Sequence, residues 1–143
     1  MNRNIAWLLT VLVLASVHLA EAQQPKKVPR IGVLRADSPP NPSVETFQQA
    51  MRDLGYIEGR NIFIEYRYAE GKVDRLPTLA EELVRRDVDV IWAVGPTVSH
   101  AKNATKTIPI VITNVGDPVE SGLVASLARP GGQITGLSTL SLI

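Results

Sequence analysis

Cysteine is absent from the 143 residues of this chain. Disulfide bonds, thiolate metal sites and cysteine nucleophiles are therefore excluded, and the folded state must be stabilised by packing and hydrogen bonds. An excess of one charge is lacking as well, since 15 Lys and Arg residues face 14 Asp and Glu residues, for a formal net charge of +1. Proteins that bind nucleic acid carry a basic surface, so no nucleic-acid partner is expected.

Motifs for catalysis and cofactor binding are missing too. There is no G-x-G-x-x-G after the first predicted strand, no G-x-x-x-x-G-K-[ST] and no G-x-S-x-G. Histidine occurs only as His18 and His100, so no paired histidine ligands are available for a metal. A receiver domain would need an aspartate at the end of the third strand, where this chain has Gly95.

We therefore expect no enzyme activity, no cofactor and no metal. An exported hydrolase-like enzyme is a disfavoured alternative, because no nucleophile and base pair can be assembled from these residues.

The amino end carries a long apolar run. Arg3 precedes the apolar residues 5–20, and Ala20-Glu21-Ala22 places small residues on both sides of a spacer, as a signal protease requires. This order predicts a signal peptide helix over residues 1–22, cleaved after Ala22, which would make the mature protein periplasmic with no stable membrane insertion. An uncleaved anchor is the alternative, because the run is only slightly shorter than the about 20 residues that span a bilayer.

A short polar segment separates this run from the rest of the chain. Residues 23–29 contain Pro25 and Pro29 and predict a tether. Residues 30–143 are enough for one hydrophobic core but few for two domains, so one compact lobe is expected there.

From Arg30 onward, apolar runs of strand length alternate with segments of helical periodicity. This alternation predicts an α/β fold, an open parallel sheet with flanking helices arranged as in a Rossmann-like lobe. The predicted strands are residues 30–34, 61–68, 88–94, 109–113 and 133–137. The predicted helices are residues 43–54, 74–86, 97–106 and one that begins at Asp117. The second strand alternates polar and apolar residues and is predicted at or near a sheet edge, whereas the third is apolar enough for burial on both faces.

Residues at the ends of the first two helices support these boundaries. Gly55 can end the first helix in a left-handed conformation. Asp74 is predicted to cap the second helix, with Pro77 in the first turn, where a missing N–H donor is harmless.

The last predicted helix depends on a capping pattern. Asp117 is the expected cap, Pro118 the first helical residue, and Glu120 the residue that reaches back to the cap. Its buried face would consist of Leu123, Val124 and Leu127.

Ligands of an open parallel sheet bind at the carboxyl ends of its strands, where helix amino termini also point their free N–H groups. The loops at that edge are residues 35–43, 95–99 and 114–121. The predicted ligand-binding residues in these loops are Ser38, Gly95, Pro96, Thr97, Asn114, Asp117 and Pro118.

Each part of this predicted site has a plainer alternative. Gly95, Pro96 and the hydroxyls of Thr97 and Ser99 suit a carboxylate or amide group on a small solute, but Gly95-Pro96 could be only a turn between strand and helix. Asp117 could hold a ligand amine or simply cap the helix that Pro118 begins. The polar loop of Ser38 could be plain surface.

The order of short motifs along residues 28–140 adds a resemblance to a known family. The motifs that carry it are Arg30-Ile-Gly-Val-Leu34, Leu54-Gly-Tyr-Ile-Glu-Gly-Arg-Asn61, Ile64-Glu-Tyr-Arg67, Asp74-Arg-Leu-Pro77, Val88-Asp-Val-Ile91, Thr107-Ile-Pro-Ile-Val111, Gly116-Asp-Pro-Val119, Ser121-Gly-Leu-Val124 and Leu127-Ala-Arg-Pro-Gly-Gly132. In this order they closely resemble the ABC transporter substrate-binding family that includes tryptophan- and tyrosine-binding members.

The resemblance implies a type I periplasmic binding fold, in which two similar α/β lobes joined by a hinge hold a solute between them. It implies that the Gly95-Pro96-Thr97 and Asp117-Pro118 loops face that cleft. The expected function is the extracytoplasmic solute-binding component of an ABC transporter, with a small organic solute such as an amino acid and the permease subunits as partners. An extracytoplasmic ligand-sensor domain of a signalling protein is the alternative.

The sequence departs from that family in two ways. It stops at Ile143, where a relative would cross to its second lobe, so residues 30–143 are expected to form the N-terminal lobe of a truncated protein. Relatives also tend to place Thr or Ser directly after the glycine of the third loop, where this chain has Pro96.

Overall fold

The computed structural model describes residues 26–126, 129 and 131–138. Five parallel strands in this part of the chain form one sheet in the order β2-β1-β3-β4-β5. The strands are β1 Arg30–Arg35, β2 Phe63–Tyr68, β3 Val90–Val94, β4 Ile110–Val115 and β5 Ile134–Ser138. The helices are α1 Pro42–Asp53, α2 Leu76–Arg85 and α3 Thr97–Ala104.

The predicted open parallel sheet with flanking helices is confirmed, and so is the edge position of the second strand. The predicted signal peptide, residues 1–22, lies outside the described residues. Within the described residues, no helix is both long enough and apolar enough to cross a membrane.

Helix α1 begins and ends where its sequence predicts. The Asn41 side chain accepts hydrogen bonds from the N–H groups of Ser43 and Val44, at 3.0 and 3.3 Å, which satisfies two donors of the first turn. Gly55 follows the helix at φ +87°, and its N–H donates to the Arg52 carbonyl at 2.9 Å. The left-handed termination at Gly55 is therefore confirmed.

Helix α2 begins later than predicted and without the predicted side-chain cap. The chain enters it through a 3-10 turn, Val73–Arg75, so Asp74 lies within that turn and the residue before the helix is Arg75, which makes no side-chain capping bond. The prediction of an Asp74 cap is wrong, whereas Pro77 does lie in the first turn.

The hydrophobic core lies on one face of the sheet. Leu34, Ile91, Ile110 and Ile134 from neighbouring strands pack there with apolar residues of α2 and α3. The α2 stripe is fully or nearly fully buried at Leu76, Leu79, Ala80 and Leu83.

The opposite face is covered less completely. Helix α1 packs on it through Phe47, whose ring centre lies 5.0 Å from that of Trp92, and through Gln48, whose side chain donates to the Tyr66 hydroxyl at 2.8 Å. Strand β3 is therefore buried at Ile91 and Ala93, which face the core. On its other face, Val90, Trp92 and Val94 are only half-buried. The prediction that this strand is buried on both faces is wrong, because α1 covers its second face only in part.

Candidate ligand-binding site

A pocket of about 440 Å³ opens at the carboxyl ends of β3 and β4, and we call it the rim pocket. It is lined by Gly95, Pro96, Val98, Ser99, Val115, Gly116, Asp117, Glu120, Ser121 and Leu123. The structure therefore brings together Gly95, Pro96 and Asp117 of the predicted site residues. This is the edge at which open parallel sheets bind ligands.

The two loops of the rim pocket are in direct contact. The Gly95 N–H donates to the Thr113 carbonyl at 3.1 Å, and a Cβ placed on Gly95 would lie 3.5 Å from the Asn114 carbonyl oxygen. Gly95 and Asn114 both adopt positive φ, at +57° and +54°. Residues that follow each of these two positions line the pocket.

Thr97 is fully buried, and its side chain faces the scaffold instead of the rim pocket. Its hydroxyl accepts from the Val94 N–H at 2.8 Å and lies 3.1 Å from both the Leu34 and the Val94 carbonyl oxygens, to which it can donate. The prediction that this hydroxyl is offered to a solute is therefore wrong. Helix α3 begins at Thr97, and the first N–H groups of any α-helix have no partner inside it.

We expect Thr97→Val to destabilise the protein by about 1–3 kcal/mol, because the shape is kept while the Val94 N–H loses its hydroxyl acceptor. Urea unfolding followed by circular dichroism measures this loss. Ser99→Ala is the matched control, because the Ser99 hydroxyl is exposed and makes only a 3.4 Å contact with the Pro96 carbonyl. Equal unfolding free energies for the two variants would contradict the bridging role of Thr97.

Asp117 does cap the chain that follows it. Its Oδ1 accepts from the N–H groups of Val119 and Glu120, at 2.8 and 3.1 Å. The Glu120 side chain makes no hydrogen bond to Asp117 among the described residues, so only half of the predicted capping box forms.

The predicted helix after Asp117 is replaced by consecutive turns through residues 118–122. Gly122 adopts φ +69°, and the N–H groups of Leu123 and Val124 both donate to the Pro118 carbonyl, at 2.9 and 3.1 Å. A left-handed residue at this point stops a helix from continuing. Leu123 and Val124 still pack against the core, as predicted, and Leu127 lies outside the described residues.

The rim pocket has two chemically distinct sides. Asp117 and Glu120 line it with carboxylate side chains, and Gly95, Pro96 and Ser99 line it at the start of α3, where the Val98 N–H donates to the Gly95 carbonyl at 3.3 Å and the helix dipole favours an anion. The second carboxylate oxygen of Asp117 makes no hydrogen bond among the described residues. Such a pocket suits a small solute that carries both a cationic and an anionic group.

The remaining predicted site residues do not line the rim pocket. Asn114 is exposed beside it, Pro118 is buried beneath it, and Ser38 is exposed on the loop after β1. The pocket instead includes Ser99, Ser121 and Glu120, which belong to the predicted loops but were not among the predicted residues. The loops could be identified from strand ends, whereas the side chains that line the pocket depend on the turn geometry.

The loop of Ser38 is held by a buried arginine. Arg35 is 7% exposed, and its Nε and Nη2 donate to the two carboxylate oxygens of Asp37 at 3.0 and 2.6 Å. These bonds hold the pKa of Asp37 below its usual value, against the opposing effect of partial burial. Asn41 joins the same network by donating to Asp37 at 2.7 Å, which links the loop to the start of α1.

Among the residues that the structure describes, no group of three His, Asp or Glu side chains could hold a metal ion.

An open parallel sheet with a polar pocket at its carboxyl edge defines an α/β ligand-binding lobe. The chain belongs to the ABC transporter substrate-binding protein family, whose model matches residues 36–143. This is a family of substrate-binding proteins and not a family of enzymes.

Known proteins agree with this assignment. The chain is 39% identical over 116 residues to a tyrosine-binding protein of Clostridioides difficile, a match that covers 79% of this chain and 34% of the relative. The chain thus spans about a third of the length of that relative.

Solved structures give the same result. The ligand-free, open structure of a substrate-binding protein with adhesive properties from Clostridium difficile matches with a TM-score of 0.71 and 32% identity, over 80% of this chain and 40% of that one. A Streptococcus pneumoniae ABC domain in complex with L-Trp matches with a TM-score of 0.70 and 28% identity, over 78% and 39%.

Proposed function

We propose that this chain is the first lobe of the extracytoplasmic solute-binding component of an ABC transporter. The lobe binds a small organic solute such as an amino acid in the rim pocket, with a second lobe closing over it, and presents that solute to the permease subunits without converting it. The mature protein acts in the periplasm after removal of the signal peptide, residues 1–22.

The observation that supports this function best is the convergence of two oppositely polarised loops on the rim pocket. The α-carboxylate of an amino acid is placed at the start of α3, where N–H groups and the helix dipole favour an anion. The α-ammonium group is placed beside Asp117. The Oδ1 atom of this residue continues to accept the two capping N–H groups, and its Oδ2 atom accepts from the ligand. The names of the relatives, one tyrosine-binding and one in complex with L-Trp, make aromatic amino acids the first solutes to test.

The test is an NMR titration of the isotopically labelled chain with L-tyrosine. A single open lobe buries only part of a ligand, so we expect saturable binding with a Kd of about 1 mM, equivalent to about −4 kcal/mol. The largest amide shifts are expected at Gly95, Ser99, Gly116 and Asp117. Tyramine, which lacks the carboxylate, and 4-hydroxyphenylpropionate, which lacks the amine, should each bind at least about tenfold more weakly, because one charged partner is lost.

A pair of variants isolates the role of Asp117. Asp117→Asn keeps the capping oxygen and removes the negative charge, so it should weaken L-tyrosine binding and leave the binding of 4-hydroxyphenylpropionate unchanged. Asp53→Asn, at the carboxyl end of α1, is the control that should alter neither. Shifts spread over residues outside the rim pocket, or a titration with no curvature up to the solubility limit of L-tyrosine, would contradict the proposal.

A further inference from the structure

The turn at residues 118–122 supplies part of the rim pocket and is exposed over most of its length. Glu120 and Ser121 from this turn line the pocket, together with Asp117 before it and Leu123 after it. Pro118 is buried, but the four residues that follow it in the turn are exposed. Packing therefore fixes the start of the turn and leaves its outer part to be held by other contacts.

Hydrogen bonds inside this segment give the turn its shape but do not attach it to the rest of the lobe. The Ser121 N–H and hydroxyl both donate to the Asp117 carbonyl, at 3.1 and 2.6 Å. The Gly122 N–H donates to the Val119 carbonyl at 3.0 Å. Because donors and acceptors belong to the same short segment, these bonds would survive a movement of the whole turn.

Lys102 makes the hydrogen bond that joins the turn to helix α3. Its Nζ donates to the Gly122 carbonyl at 2.9 Å. Among the described residues, it is the only hydrogen bond that connects residues 117–124 with another element of the lobe. Gly122 lies at the end of the turn, so the bond holds the part of the turn that packing does not fix.

The face of α3 that lines the rim pocket also carries Lys102. Ser99 lines the pocket, and Lys102 follows it by three residues, which places both side chains on one face of the helix. The bond from Lys102 to Gly122 therefore runs from the helix on one side of the pocket to the turn on the other. It sets how far Ser121 lies from Ser99.

Packing around Leu123 does not replace this bond. Leu123 lines both the rim pocket and a second pocket of about 220 Å³, which is also lined by Lys102, Gly131 and Gln133. Leu123 is accordingly only half-buried. With a pocket on each of two sides, the end of the turn has room to shift when the bond from Lys102 is lost.

We propose that Lys102 is a positioning residue of the rim pocket, which holds the turn at residues 118–122 against α3 and so keeps Asp117 and Ser121 in place across from Ser99. Lys102 does not line the rim pocket itself, so it acts on a solute only through the turn. The effect on solute binding rests on the function proposed above, whereas the hold on the turn does not.

The first measurement is the exchange of backbone amide protons with water, followed by NMR without any solute. Lys102→Met keeps an unbranched side chain and removes the donor, so the amides of Gly122, Leu123 and Val124 should exchange several-fold faster. Lys102→Arg restores a charged donor and should return these rates toward those of the unmodified chain. Lys106→Met should leave them unchanged, because the Lys106 Nζ donates to the Lys102 carbonyl at 3.2 Å and not to the turn.

The second measurement is the binding of L-tyrosine to the same variants. Well below saturation, the slope of the Gly95 amide shift against L-tyrosine concentration varies as 1/Kd, so affinities can be compared within the solubility of the ligand. We expect Lys102→Met to reduce this slope about three- to tenfold. Lys102→Arg should reduce it by less than about twofold, and Lys106→Met should not change it. Both methionine variants should unfold in urea at similar midpoints, because the bond from Lys102 lies outside the core.

Equal amide exchange in Lys102→Met and Lys106→Met would overturn the proposal, whether or not L-tyrosine binds. Faster exchange in Lys102→Met with an unchanged binding slope would overturn it as well, because the turn would then move without altering the pocket. A much lower urea midpoint for Lys102→Met would make Lys102 a residue of the fold and not of the pocket, and would have the same consequence. If exchange is faster but the unmodified chain does not bind L-tyrosine, the hold of Lys102 on the turn is confirmed and the proposed function fails.

Discussion

Gly136→Ala is expected to destabilise the protein by about 3 kcal/mol or more. Gly136 pairs with Ile112 in the β4–β5 ladder at φ +147°, a conformation that residues with a Cβ rarely adopt. A Cβ at this position would overlap the Ile112 carbonyl oxygen and approach its backbone nitrogen to 2.6 Å. Backbone cannot move aside as a flexible side chain can, so β5 must leave its register. Urea unfolding followed by circular dichroism measures the loss.

Gly131→Ala is the control for this prediction. Gly131 also has a positive φ, +65°, but no atom of a residue beyond its chain neighbours lies within 4 Å of the position that a Cβ would take there. It should therefore show only the conformational cost, about 1–2 kcal/mol. If the two alanine variants were equally stable, the close approach of β5 to Ile112 would be refuted.

Leu83→Ala is expected to cost about 2–5 kcal/mol, because Leu83 is fully buried between α2 and the sheet. Both of its δ carbons lie 3.1 Å from the position of a Cβ on Gly32. Leu54→Ala, at an exposed leucine, should change the unfolding free energy by no more than about 0.5 kcal/mol. Thermal and urea unfolding of both variants give the comparison.

A double variant tests the contact itself. Gly32→Ala alone crowds Leu83 and Val88 and should cost about 1–3 kcal/mol. In the Leu83→Ala background the added methyl group enters the space that the leucine vacated, so Gly32→Ala should become neutral or stabilising. Additive losses would show that the two residues are not in contact.

The rim pocket is formed entirely by the ends of two neighbouring strands, β3 and β4, and by the chain that follows each of them. In the function proposed above, a second lobe would add burial and with it affinity, while Asp117 and the start of α3 are already positioned by β3 and β4.

Strand and helix positions followed from the sequence because they depend on local patterns. Gly55 follows the end of α1, Pro77 lies in the first turn of α2, and the alternation within Phe63–Tyr68 indicated an edge strand. The region after Asp117 was predicted less well. Its cap forms as the pattern indicates, but the left-handed Gly122 turns the chain before a helix can form.

The site was predictable as an edge of the sheet and not as a set of side chains. Gly95, Pro96 and Asp117 do line the rim pocket, because strand ends and helix starts fix where their backbone lies. Thr97 is one residue away and points into the scaffold, where its hydroxyl joins β1 and β3. No local pattern distinguishes a hydroxyl that bridges two strands from one that meets a solute.

The sequence by itself determined the class of fold, the family and the edge of the sheet at which the rim pocket lies, because periodicity, turn residues and the order of motifs are local properties. Only the tertiary structure decided the inward orientation of Thr97, the turns after Pro118 and the partial cover that the described residues give to the second face of β3. These features depend on which elements meet across the sheet, and the free energy of burying a side chain is set by those distant neighbours and not by the residues beside it in the chain.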